Sequence, residues 1–367
     1  MNKIVYILGA GCSAGQPPEN PGYPLARDFL LALKNYGESL NDKENCNQLK
    51  SCVEGSIALL QQEAAQTLDT LTARLGTEAH DLSNGLTMQA RRGLERKIRD
   101  AKIATYALFM DLEKRARETG LHRYHNFLDE LFGNVTNWSQ ASQKSKFSVL
   151  TFNYDRLFEM AFISRFRCDT KTCCLYGGSL LNSGMDYVSG SGIAVASNRF
   201  AFLKLHGSVG IRAREEMGHD GPCHYTSYDG PPGENSKTIN DEMFFARANN
   251  PDPYDRDPEP LIVFPHEKPF VANGTNTLLS FRGYIEPIWN HARQLVSEAT
   301  EVWAVGYRFA PIDRADVLGL LRSAHNCKKI VVQNRKESVD EICESLKRKW
   351  LEPEGLNIKV ESHPHPF

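Results

Sequence analysis

The chain has 367 residues, 41% hydrophobic and 24% charged, which is the composition of a globular protein of about two structural units and excludes overall disorder. Lys and Arg number 43 against 45 Asp and Glu, and a net charge of −2 argues against a protein built mainly to hold nucleic acid. No apolar run reaches the roughly 18 residues that a membrane-spanning helix needs.

Residues 3–8, Lys-Ile-Val-Tyr-Ile-Leu, read as a buried parallel strand. The apolar stretch is too short for a signal-peptide core, so the cytoplasm is the expected compartment. The cysteines agree. They number nine, Cys173 and Cys174 are adjacent, and no Cys-x-x-Cys pair exists, which is no secreted disulfide framework. Cys168, Cys173, Cys174 and Cys223 match no standard zinc spacing, so no metal is expected.

After the strand come a glycine-rich turn and a proline-rich segment, Gln16 to Pro24, which cannot be helix or central strand. A helix is expected from about Leu25 to Lys34. Between 40 and 135 the pattern turns helical. Leu60, Ala64, Leu68, Leu71 and Leu75 make one stripe, and Leu94, Ile98, Ala101, Leu108 and Leu112 a second, interrupted by Thr105. This reads as a helical subdomain inserted in an α/β core that spans about 1–35 and 145–365. Residues 91–123 carry ten Lys/Arg against five Asp/Glu, either a solvated helix face or a docking surface for a partner or nucleic acid.

Strand signals return at Phe147–Phe152, followed by a helix from about Arg156. Residues 176–198 read as irregular loop, Phe200–Leu205 as a short strand, and 229–260 as a proline-rich surface loop or lid. Then strands at 261–264, 302–305 and 329–332 alternate with helices at 276–298, 313–325 and 337–350, the first expected to kink or break at Pro287. That alternation predicts a Rossmann-like, doubly wound parallel sheet.

Five motifs stand at predicted strand ends. Gly9-Ala10-Gly11-Cys12-Ser13 can turn sharply and bring backbone amides to a pyrophosphate, or can be only a tight turn; it lacks the P-loop lysine. Thr151-Phe152-Asn153-Tyr154-Asp155 offers a carboxamide and a carboxylate to a ligand, and equally suits a helix N-cap. His206, before Gly207 and Ser208, can serve as a base near neutral pH or can be structural. Gly306-Tyr307-Arg308-Phe309 precedes Asp313, whose plain reading is a helix cap. Asn334 ends another strand, as a reader of adenine or ribose or as a polar turn residue.

In order, these motifs resemble the sirtuin family. Gly9-Ala10-Gly11-Cys12-Ser13 is similar to its Gly-Ala-Gly-x-Ser loop, and Thr151-x-Asn153-x-Asp155 to its Thr-Gln-Asn-Ile-Asp motif. His206-Gly207 looks like its His-Gly, Gly306 its Gly-Thr-Ser turn, and Asn334 its Ile-Asn strand. The Cys-x-x-Cys pairs of the deacylase zinc ribbon are missing, Phe152 replaces a glutamine, and Gly22-Tyr23-Pro24-Leu25-Ala26 replaces Gly-Ile-Pro-Asp-Phe-Arg. Thr-x-Asn-Tyr-Asp, Lys-Leu-His-Gly-Ser and Gly-Tyr-x-Phe are instead similar to the bacterial sirtuin-like NADases of anti-phage defence.

That resemblance implies an enzyme that hydrolyses NAD+ to nicotinamide and ADP-ribose and so stops the infected cell (abortive infection). It implies His206 as general base, Asn153 positioning the ribose or the attacking water, and Asp155 supporting that network. Gly9, Ala10, Gly11, Cys12, Ser13 and Tyr154 would bind the dinucleotide, with Gly306, Tyr307 and Asn334 on its adenosine half. It also implies restraint by homo-oligomerisation and a possible HerA-type motor ATPase as partner. The alternatives are an NAD-dependent deacylase or ADP-ribosyltransferase, and a non-catalytic module that senses NAD+ or ADP-ribose.

Overall fold

The computed structural model describes residues 3–14, 23–63, 67–68, 70–71, 74–75, 78, 87–119, 121–137, 140–141, 146–166, 200–218, 221–228, 239–245, 259–262, 264 and 282–364. Strands in chain order are β1 (Ile4–Leu8), β2 (Phe147–Thr151), β3 (Phe202–Lys204), β4 (Gly207–Gly218), β5 (Gly221–Tyr228), β6 (Glu259–Ile262), β7 (Glu301–Val305), β8 (Lys329–Gln333) and β9 (Lys359–His363). Six of them form one sheet in the order β3-β2-β1-β7-β8-β9, every pairing parallel. Counted among themselves, these strands run 3-2-1-4-5-6, the order of the doubly wound dinucleotide-binding sheet. The Rossmann-like α/β class expected from the alternation is the one observed.

The sheet is the core because its strands bury their side chains. Val5, Ile7, Leu8, Val149, Leu150, Phe202, Val302, Ala304, Val305, Ile330 and Val332 are all sealed from solvent. Between β1 and β2 the described residues include the helices α1 (Phe29–Ser39), α2 (Asn47–Gln61), α3 (Met88–Thr119) and α4 (His122–Phe132). The 32-residue α3 is about 48 Å long. Its stripe of Leu94, Ile98, Ala101, Leu108 and Leu112 is buried as expected. Thr105, the polar interruption, returns its hydroxyl to Ala101 O (2.7 Å), so burial leaves it satisfied. The first stripe is not one helix. α2 ends at Gln61, and Thr67 restarts the helical path through reciprocal bonds with Thr70 before Leu71 and Leu75 are buried. Ala64 lies outside the described residues.

An aromatic block fastens this insertion to the sheet. Phe132 of α4 meets Phe147 of β2 edge-on at 5.1 Å. Phe127 of α4 meets Phe158 of α5 (Leu157–Phe166) edge-on at 6.5 Å, and Phe158 stacks on Phe202 of β3 at 4.4 Å. Beyond β6, α6 (Arg282–Glu298) leads to β7, α7 (Arg314–Arg322) to β8 and α8 (Lys336–Ser345) towards β9. The expected break at Pro287 does not occur: α6 runs on to Glu298.

Two features depart from the sequence reading. β4, β5 and β6 form a separate antiparallel sheet, ordered β5-β4-β6, where only a single strand and a loop were expected. The terminal β9 was not expected either, and it closes one edge of the main sheet beside β8. The proline-rich 15–22, the loop 176–198 and most of 229–260 lie outside the described residues, although a short helix, Glu242–Phe245, falls within the last. Among the described residues no helix is long and apolar enough to cross a membrane.

Candidate active site

The strand registers build the site. Leu8, Thr151, Lys204, Val305 and Gln333 form one transverse row across the sheet. The residues that step off this row are Gly9, Asn153, His206, Gly306 and Asn334, so all five motifs leave one carboxyl rim. Strand order reverses between β1 and β7, which is where ligands lie in such sheets.

At that reversal two loops are fused through backbone. Gly9 N donates to Val305 O (3.0 Å) and Gly11 N to Gly306 O (2.9 Å). A Cβ on Gly9 would lie 2.6 Å from Tyr307 Cα, and Gly306 has φ +59° with Cys12 N at 2.6 Å from its own Cβ position. Glycine is needed here for the close approach of one loop to the other. The amides of Cys12 and Ser13 are also engaged, donating to Gly9 O and Ala10 O. The amides of Gly9 to Ser13 thus do not all point outward as a group. Four of the five donate within the protein, and Ala10 is the exposed member of the loop. Cys12 is turned inward. Its buried thiol donates to Val305 O (3.0 Å), and burial pushes its pKa well above the usual thiol range, so it faces the sheet as an inert packing group.

Asn153 is placed by Thr151, whose hydroxyl donates to Leu8 O (3.3 Å) and accepts from Asn153 N (3.0 Å). The Asn153 carboxamide nitrogen then donates to Gly9 O (3.0 Å) and Ser13 Oγ (3.3 Å). Ser13 Oγ also shares a 2.8 Å bond with the hydroxyl of Tyr124, at the start of α4, and that hydroxyl is bonded to Asn153 as well. Asp155 does what the plain reading allowed: Oδ1 accepts from Leu157 N (3.1 Å) at the head of α5. It also bonds Ser13, so the cap and the network use one carboxylate. Burial raises its pKa to about 6, against the charge of Lys204 and the bonds from Ser13 and Leu157 N. Lys204 is itself buried against Glu159 (3.0 Å) and the carbonyl of Asp155.

His206 is 5% exposed, walled by the residues flanking Asn153. Phe152 meets its ring edge-on at 4.9 Å and Tyr154 lies tilted at 5.8 Å. The turn carrying His206 is held by Trp289 of α6, whose indole donates to Leu205 O (3.0 Å). His206 Nε2 is 3.5 Å from Asp313 Oδ1, an ion-pair distance longer than a normal hydrogen bond.

The residues expected on the adenosine side stand in two different settings. Tyr307 stacks on Phe152 (4.8 Å, 6°), touches Phe309 at 5.0 Å, and gives its hydroxyl to Asp313 Oδ2 (3.0 Å). Its ring thus forms part of the wall beside His206. Asn334 stands at the end of β8 with Oδ1 accepting from Arg335 N (2.9 Å), as a turn residue does. Cys168, Cys173 and Cys174 lie outside the described residues, as does the side chain of Cys223, and no metal-holding group occurs among the described residues.

No family model matches the chain, and no curated protein does. Solved structures do align with it. One is a Sir2Tm structure with a propionylated peptide, 15% identical, covering 97% of this chain and 94% of that one at a TM-score of 0.33. A second is a Sir2 homologue in complex with ADP-ribose, 12% identical, 90% of this chain and 80% of that one, TM-score 0.30. A third is a Sir2 complex with a p53 peptide and NAD+, 13% identical, 97% and 94% covered, TM-score 0.29.

Two site residues were missed by sequence reasoning. Tyr124 carries no motif, and its link to Ser13 joins residues 111 positions apart. Asp313 was noticed, but as a helix cap. In the structure it makes no side-chain cap bond and turns inward to Tyr307 and His206.

Proposed function

We propose that this chain hydrolyses the nicotinamide–ribose bond of NAD+, releasing nicotinamide and ADP-ribose. The observation that carries this reading is the single rim: Gly9, Asn153, His206, Gly306 and Asn334 step off one transverse row at the reversal of a 3-2-1-4-5-6 sheet. A dinucleotide laid along that rim meets Ala10 N–H with its phosphates and the carboxamide of Asn334 with its adenosine half. The nicotinamide ribose then lies over Asn153 and His206.

Cleavage loads positive charge onto the ribose as nicotinamide leaves. Its carbon is attacked by water, which bonds to C1′ and surrenders one proton. His206 accepts that proton. The carboxamide oxygen of Asn153 orients the water, because its nitrogen is already committed to Gly9 and Ser13. Asp155 holds Ser13 in place, and nearby carbonyl and carboxylate oxygens stabilise the developing cation. In the cell this reading makes the protein an NAD+-depleting effector of anti-phage defence. It is held idle as a homo-oligomer or by a HerA-type ATPase; an active lone monomer on purification counts against that restraint.

The test is incubation of purified protein with NAD+, alone and with candidate partners, with products identified. Parent turnover that is lost in both His206→Ala and Asn153→Ala supports the reading, and two variants as active as the parent overturn it. One observation favours a second reading, a module that senses NAD+ or ADP-ribose without turnover: the imidazole is enclosed by Phe152 and Tyr154. Stoichiometric binding with no nicotinamide release distinguishes it. An acyl-lysine peptide in the same mixture tests the deacylase alternative.

A further inference from the structure

The turn after β7 does something unusual for a strand-to-helix connection. Gly306 has φ +59° and Phe309 has φ +55°, a conformation in which a bulky aromatic residue is a marked outlier. The two left-handed residues, followed by Pro311, fold the chain back so that Asp313 returns beneath Tyr307, six residues earlier. The cost is met by packing, since Phe309 lies against Trp350 (5.4 Å, 78°) and Tyr307. Asp313 starts α7 yet makes no side-chain bond to its amides. Both carboxylate oxygens are used sideways instead, Oδ2 on the Tyr307 hydroxyl (3.0 Å) and Oδ1 towards His206 Nε2 (3.5 Å), with both side chains buried.

From this geometry we propose that Asp313 is the positioning carboxylate of His206, with Tyr307 fixing the carboxylate. The inference rests on the reading of His206 as the base. Asp313 faces the Nε2 edge of the ring at ion-pair distance without a formed hydrogen bond, so it acts on the imidazole through its charge. When the ring takes the proton from water, the imidazolium forms beside a carboxylate whose charge compensates it. Phe152 clamps the assembly, stacked on Tyr307 and edge-on to the imidazole. Among the described residues, the turns that meet at the ring carry these ionisable groups: Tyr154 and Asp155 after β2, Lys204 before His206, and Tyr307 and Asp313 after β7. α6 presents the indole of Trp289 to the same turn. Lys204 is bound to Glu159, and Asp155 to Ser13 and Leu157 N, whereas Asp313 is at ion-pair distance from the imidazole.

The experiment follows the imidazole itself. Full-length protein with isotope-labelled histidine is titrated by NMR, His206→Gln identifies the resonance, and parent and Asp313→Asn are compared. The midpoint of His206 falls by about one pH unit in Asp313→Asn, a tenfold loss of proton affinity. In parallel, kcat for NAD+ cleavage falls about a hundredfold while KM stays within about threefold. Should Asp313→Asn not fold, Tyr307→Phe serves: it strips a hydrogen bond from the carboxylate, concentrates its charge and raises the midpoint. A midpoint unmoved in the variants that fold overturns the pairing, even if the parent cleaves NAD+. A midpoint that falls in a parent-like fold with no NAD+ cleavage by any protein keeps the pairing and overturns the assigned reaction.

Discussion

The hydroxyl of Tyr124 lies 2.8 Å from Ser13 Oγ, so a residue of the helical insertion takes part in the hydrogen-bond network of the first loop. Arg123 adds a second tie, donating to Ala14 O (2.8 Å). The insertion is therefore wired to the residue that holds Asn153. Tyr124→Phe keeps the buried ring and removes only the shared hydroxyl. It is expected to cost about 1–2 kcal/mol in denaturant unfolding, because Ser13 is left with fewer partners in a buried place. NAD+ turnover falls by tenfold or more through a misaimed Asn153. In a double-mutant cycle with Ser13→Ala the two losses do not add, as for residues in one network. Additive losses would mean that Tyr124 acts only as packing.

Asp155 gives a pH prediction with a definite sign. Its folded pKa, about 6, lies above the ordinary carboxylate value, so the folded protein binds this proton more tightly than the unfolded chain. That contribution to stability is complete below about pH 4 and is lost as pH rises through about 6. Two pH units correspond to roughly 3 kcal/mol. Asp155→Asn retains an oxygen to cap Leu157 N and carries no charge. Its melting temperature relative to the parent should thus be higher at pH 8 than at pH 5. A constant difference between the two pH values would show that the carboxylate is not protonated by burial.

Much of this was legible in the sequence because strands leave local signatures. Residues 3–8 and 329–332 are short runs of apolar residues rich in β-branching, and a parallel sheet buried on both faces admits little else. The rim followed, since a motif directly after such a run is placed by the strand itself. What was missed depends on distant partners. β9 is Lys-Val-Glu-Ser-His, an edge strand whose polar residues give no apolar run, and only pairing with β8 makes it a strand. Tyr307 was legible as a rim residue, but its stacking on Phe152 depends on a contact across 155 positions. Asp313 looked like a cap because a cap is a local pattern. Its actual partners are set by two left-handed residues that no local rule expects.

The fused loops predict opposite effects for two glycine substitutions. Gly9→Ala forces a Cβ to within 2.7 Å of the backbone at Gly306 and Tyr307, so one loop must move. About 1–3 kcal/mol of stability should be lost, and NAD+ turnover with it, because Asn153 is bonded to Gly9 O. Gly319, inside α7, has nothing within 4 Å of its Cβ position. Gly319→Ala should raise stability by about 0.5–1 kcal/mol, as alanine does in a helix interior, and leave turnover unchanged. Thermal melts with an NAD+ assay check both. Equal effects of the two substitutions would refute the close approach at Gly9.

Directly after Asp155, Arg156 makes a bidentate pair with Glu113 of α3, at 2.8 and 2.7 Å, both side chains sealed from solvent. Gly210 has no side chain there because the guanidinium occupies the place of its Cβ, 2.2 Å away. The pair clamps α3 to the turn that carries Asn153 and Asp155. Two buried charges gain little over an apolar pair of equal size, but one left alone is costly. Glu113→Gln is therefore expected to lose about 3–5 kcal/mol, and Glu113→Leu with Arg156→Met to recover most of it. The double variant should still lack NAD+ turnover in proportion to how far Asn153 and Asp155 drift without the clamp. Stability measured by denaturant and turnover measured by nicotinamide release separate the two effects. If Glu113→Gln proves as stable as the parent, the pair is not what joins the insertion to the rim, and the aromatic block at Phe132, Phe158 and Phe202 must carry that connection instead.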